Sequence, residues 1–205
     1  SANAKSTDQA AAAKVTNNPH STETFEAFSL QENLTTGGSA DVEATVKSEL
    51  SATAESTKST ADANIKVTDS INAIDVDHGG VIHTGADQTL NGLINMSANT
   101  AAVSVDGAAS ADTDLEENII AVETETLTAG RNLDLDANLK LEAGSEAQSV
   151  SGAATSEVQV DYHDDLAAWD SDGEVTVEGG ATINAVVDGL LGAESETTSG
   201  LASAK

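Results

Sequence analysis

Cysteine is absent from the 205 residues, which excludes disulfides and cysteine metal sites and says little about redox compartment. Proline occurs once, and aromatic residues are 2% of the chain: two Phe, one Tyr, one Trp. A globular core of this length normally includes several rings. Here the apolar residues are mostly Ala, Val, Leu and Ile, which suits thin, closely stacked layers. Basic residues are scarce too, 8 against 35 acidic ones, for a formal charge of −27. After Lys140 none appears until Lys205. Such a surface repels nucleic acid and anionic lipid, and favours cations, high salt or a basic partner. No apolar run approaches the length of a membrane-spanning helix. There is no Walker loop, no Rossmann glycine pattern and no Gly-x-Ser-x-Gly elbow. Ser1-Ala-Asn-Ala carries no initiator Met. It reads either as the mature end left by a signal peptidase or as a trimmed start.

What is present is alternation. Leu133, Leu135, Leu139 and Leu141 interleave with Asp134, Asp136, Lys140 and Glu142. Successive side chains of a strand point to opposite faces, so the leucines share one face and the charges the other. The stretch is also repeated. A shift of 45 positions lays Leu127 on Ile82, Gly130 on Gly85, Leu139 on Ile94 and Leu141 on Met96. The tail Ser149-Val-Ser-Gly-Ala-Ala-Thr155 then falls on Ser104-Val-Asp-Gly-Ala-Ala-Ser110. Looser copies lie upstream from Thr36-Gly-Gly38 and downstream from Glu178-Gly-Gly180. Units of about 45–50 residues are typical of stacked repeats.

The expected fold is all-β, a tandem-repeat β-solenoid or a long-stranded β-sandwich. The β-repeat domain is expected over residues 36–205, with repeats 36–80, 81–125, 126–175 and 176–205. Residues 1–35 read as a non-repetitive N-terminal arm or cap. Within it, Phe25 and Phe28 are either rings that cover the end of a stack or a subunit contact carried by an exchanged arm. Ser51 to Ala61 is ambiguous between loop and strand.

The phrase Leu127-Thr-Ala-Gly-Arg-Asn-Leu-Asp-Leu-Asp-Ala137 resembles the repeats of secreted filamentous-haemagglutinin-type proteins, over about one repeat. More loosely, Val-x-Val and Ser-x-x-Gly-Ala in an aromatic-poor chain resemble subunits of bacterial matrix fibres, functional amyloids included. The resemblance implies a right-handed parallel β-helix and a secreted structural or adhesive role; it carries over no functional residues. The expected function is a secreted, extracellular subunit that self-assembles by strand pairing, a homopolymer rather than an enzyme. A viral fibre or capsid-decorating protein would share the composition. A β-helical polysaccharide-active enzyme fits less well, since sugar grooves use aromatic and basic residues.

The richest polar cluster is Asp161, His163, Asp164, Asp165, Asp170, Asp172 and Glu174. Asp170-x-Asp172-Gly173 matches half of a calcium loop, with Glu174 as a further oxygen donor. The EF-hand spacing fails, so a solvated acidic loop is the plainer reading. His78 and His83 flank a Gly-Gly turn beside Asp75 and Asp77 and could bind a transition metal, although spacing fixes no third ligand. Asn33-Leu-Thr35 and Asn95-Met-Ser97 match the glycan acceptor triplet.

Overall fold

A computed structural model describes residues 1–17, 24–68, 70–116, 118–161 and 166–205. The chain is all-β with parallel sheets, and no helix occurs among the described residues. Its strands come in successive passes. The first pass gives β1 (Ala2–Ser6), β2 (Ala11–Asn17), β3 (Thr24–Leu30) and β4 (Asn33–Thr36). The second gives β5 (Ala40–Ser56), β6 (Ala61–Val67) and β7 (Ser70–Thr84). The third gives β8 (Gln88–Ser104), β9 (Ala109–Glu116) and β10 (Asn118–Ala129). The fourth gives β11 (Leu133–Ser149), β12 (Ala154–Asp161), β13 (Leu166–Ser171) and β14 (Val175–Val177). A fifth adds β15 (Ala181–Thr197) and β16 (Ala202–Ala204).

Each of the first four passes visits three sheets in the same order, and the fifth adds a strand to the first two. The first sheet stacks β1-β5-β8-β11-β15, and the second β2-β6-β9-β12-β16. The third stacks β3 and β4, then β7, β10, and finally β13 and β14. Equivalent residues pair in columns: Leu139 with Ile94, Leu127 with Ile82, Ala154 with Ala109. The shift read from the sequence is therefore the register between successive passes, second to third at Leu127 and third to fourth at Leu139 and Ala154.

The alternation at Leu133–Leu141 is one stretch of a 17-residue strand whose inward side chains are buried along its length. Columns such as Val46–Ile94–Leu139 and Val42–Leu90–Leu135 build the core. Each fully buried Leu or Ile contributes about 1.5–3 kcal/mol relative to exposure. Between them runs the column Ala44–Gly92–Ala137. A Cβ at Gly92 would strike Val122 and the Ala121 carbonyl of the third sheet, so the sheets approach too closely there for a larger side chain.

The turns from first to second sheet carry a second stacking device. Ser104 Oγ accepts from Gly107 N (3.0 Å) within its own turn, and donates to Ser59 O (2.6 Å) in the pass before. Ser149 Oγ does the same with Gly152 N (2.9 Å) and Gly107 O (2.8 Å). Ser56 takes the same role between Ser59 N and Gln9 O, and Thr197 Oγ1 donates to Gly152 O. Turns hung so closely leave no room for side chains: a Cβ at Gly152 would collide with the carbonyl of Gly107.

The segment expected as a non-repetitive arm or cap pairs into these same sheets. Ala2 lies beside Ala52, Ala11 beside Ala61, and Leu34 beside Ile82. Ser51–Ser56 is strand, the end of β5, and the turn comes just after it.

Candidate functional site

The described part of the acidic insert spreads over a strand end and the turn that follows it. Asp170, at the end of β13, accepts a hydrogen bond from Ser171 N (2.8 Å). Asp172 and Glu174 are exposed in the turn before β14, where Glu174 Oε1 accepts from Thr176 Oγ1 (3.3 Å). Asp161 is exposed and holds Gln159 Nε2 (2.6 Å). No group of three His, Asp or Glu that could hold a metal occurs among the described residues. His163, Asp164 and Asp165 lie outside them. The same statement covers Asp75, buried in β7, and His83, exposed on it; the side chains of Asp77 and His78 are outside the described set. Trp169 is a packing residue, with Nε1 donating to Thr124 Oγ1 (3.1 Å).

Phe25 pairs along the backbone with Ile71, and Phe28 with Ile74, all within one chain. Phe28 is half-buried against the core with Leu30 and Leu34. The structure thus seats this segment on its own β7. Asn33 is exposed on β4; Asn95 is half-buried in an outward row between Lys47 and Lys140.

Across the outer face of the first sheet runs a groove of about 420 Å³, floored by Ser51, Asn99, Gly144 and Gly192. Its walls hold no His, Lys, Arg or aromatic residue, and Glu146 and Glu194 are the titratable groups in it. On the second sheet's outer face, Lys66 bridges Asp114 (2.8 Å) and Glu116 (3.1 Å), which raise its pKa. Neighbouring Asp112 has its carboxyl pKa raised, first by burial and then by Asp114 and Glu157, while the Asn64 amide opposes the shift.

The feature that sequence reasoning did not isolate is a pair of open strand edges. β15 pairs with β11 over its full length and, among the described residues, has no neighbour on its other side. Ile183, Val187 and Leu191 continue the core columns of Leu135, Leu139 and Ala143, yet stand 46–53% exposed. At the opposite end, β1 covers β5 only at Ala52–Ser56, which leaves residues 40–51, among the described residues, without a strand on that side. One sequence signal was available: Asp188 is the single charged residue of Ala181–Gly192, in a chain of charge −27. No family model, curated protein or solved structure matches the chain.

Proposed function

We propose that the chain is a secreted structural subunit, a β-solenoid that self-assembles through strand pairing into extracellular fibres. The observation that carries this reading is β15, a 17-residue edge strand with uncovered core columns. An edge of unpaired N–H and C=O groups is a template for another chain unless it is blunted or covered. β15 carries few of the usual deterrents, having no Lys, no Pro and one charge before Glu194. At the other end inward Val42, Ala44 and Val46 are buried, so of the two open edges the apolar exposure is concentrated on β15.

The charge sets the conditions. At −27, copies repel one another, and screening or bound cations must relieve this before short-range pairing acts. Electron microscopy and sedimentation of the purified chain, from about 10 mM to 1 M salt where the Debye length falls from about 30 to 3 Å, test the reading. Filaments that lengthen with salt are expected. A monomer at every ionic strength, with or without divalent cations, would overturn it.

A further inference from the structure

The columns of the first sheet run unbroken from Ala40 through Gln88 and Leu133 to Ala181, and from Ser51 through Asn99 and Gly144 to Gly192. The open stretch of β5 and the apolar stretch of β15 therefore occupy the same columns, on opposite ends of the molecule. The third sheet matches in the same way. Phe25, Ile71, Ile119 and Leu166 form one column, and Leu34, Ile82, Leu127 and Val175 another. Its last strands, β13 and β14, stand in line with its first, β3 and β4.

Resting on the self-assembly reading, we propose that copies join head to tail, with Ala181–Gly192 of one chain pairing in parallel with Ala40–Ser51 of the next. In the same step β13 and β14 meet β3 and β4 of that next copy. The joint continues the ladder that already links β5, β8, β11 and β15. It seats the chain's least charged edge against a second copy of an acidic chain.

The fit has one obstruction. Ala2–Ser6 shares its columns with Ala193–Thr197, through Ala52–Ser56, Thr100–Ser104 and Ser145–Ser149. Ala11 likewise shares a column with Ala202. When β15 meets β5 of the next copy, these segments of the two chains claim the same level. β1 is the one that yields. It is a separate five-residue strand, whereas Ala193–Thr197 continues a strand held over 17 residues. β1 thus occupies the stretch of β5 next to the joint until a neighbour displaces it.

Prolines on the free edges test the joint. Ala40 N and Leu133 N both bond toward the C-terminal side of the stack. By alternation, the N–H of Val187 points off the free edge of β15, and that of Thr45 off the free edge of β5. Val187→Pro and Thr45→Pro each remove a donor that points away from every described neighbouring strand, and each blocks one edge. Each variant alone should stay monomeric in salt where the wild type forms filaments. An equimolar mixture, with one good edge of each kind, should give 1:1 dimers and nothing longer. Circular dichroism verifies folding, and Val187→Lys, exposed in the monomer and buried in the joint, is the second variant if a proline unfolds the chain. If Thr45→Pro alone dimerises, two β15 edges meet and the head-to-tail joint is wrong. If both variants polymerise as the wild type does, assembly uses another surface and the broader reading survives without this one. A wild type that never assembles sinks both. The displaced strand has its own test, because the chain has no cysteine. Asn3→Cys with Thr53→Cys, neighbours in register, lets β1 be locked by oxidation. The oxidised form should stay monomeric and the reduced form assemble; equal assembly in both states would show that β1 does not yield.

Discussion

A single serine hydroxyl in the turns after the first sheet serves two passes at once. Ser149 accepts from Gly152 N within its turn and donates to Gly107 O in the pass before. Ser149→Ala removes both interactions at a site 5% exposed. A buried polar group left without its partner costs about 1–3 kcal/mol, so this variant should lose that much stability in urea titration. Ser151→Ala, at an exposed position of the same turn, should lose far less. Asp112 gives a prediction with a pH sign. Burial, Asp114, Glu157 and Asp62 all raise its carboxyl pKa against the Asn64 amide that donates to it. The folded chain therefore holds this proton more tightly than the unfolded one. Its contribution grows as pH falls through the folded pKa, is complete below the unfolded value of about 3.9, and is lost as pH rises. Asp112→Asn, which keeps an acceptor and removes the charge, should melt higher than wild type at pH 7, with the gap closing toward pH 4. A gap independent of pH would assign the effect to packing.

Among the strands, one column isolates what stacking does. Leu135 is 0% exposed between Leu90 and Ile183, whereas Ile183 itself is 47% exposed. Leu135→Ala should cost about 2–5 kcal/mol in the isolated chain. Ile183→Ala should change it by no more than about 0.5 kcal/mol, as at other surface positions. Urea midpoints of the two variants measure the contrast, and equal losses would mean that the end of the stack is covered. The same columns explain what could be read beforehand. Leu133–Leu141 alternates cleanly because its inward residues are large, and the shift onto Ile82–Met96 is visible because both passes keep that size. The rest of β11 was obscure because Ser145 and Ser149 point inward, where carbonyls of Ala111 and Gly107 take their hydroxyls. A polar residue satisfied by a neighbouring pass looks like a solvent-facing one in sequence. The first pass was missed for a related reason: β1 and β2 face inward with Ala2, Ala4, Ala11 and Ala13, too small to register as a hydrophobic period. In the acidic insert, spacing alone did not show that Asp170 would end a strand and Asp172 and Glu174 would stand in the turn after it.

For the molecule as a whole, every sheet bonds along one direction, from the first pass to the last, and the covalent chain runs across it. That geometry makes resistance to force depend on how the load is applied. Two copies pulled apart along the stack load a whole ladder of bonds together, which must give way at once. A chain pulled by its last residue instead sheds one pass at a time, each strand leaving its neighbour like the end of a tape. Gln88 and Leu133 are 45 positions apart, and Leu133 and Ala181 are 48. Fully extended, each released pass should lengthen the tether by roughly 150–175 Å at about 3.3–3.6 Å per residue. An optical-trap trace should show a short staircase of such steps at low force; a single rupture releasing the whole length would mean that the passes fail together. A fibre built this way is strong under tension along its axis and frays from a loose end.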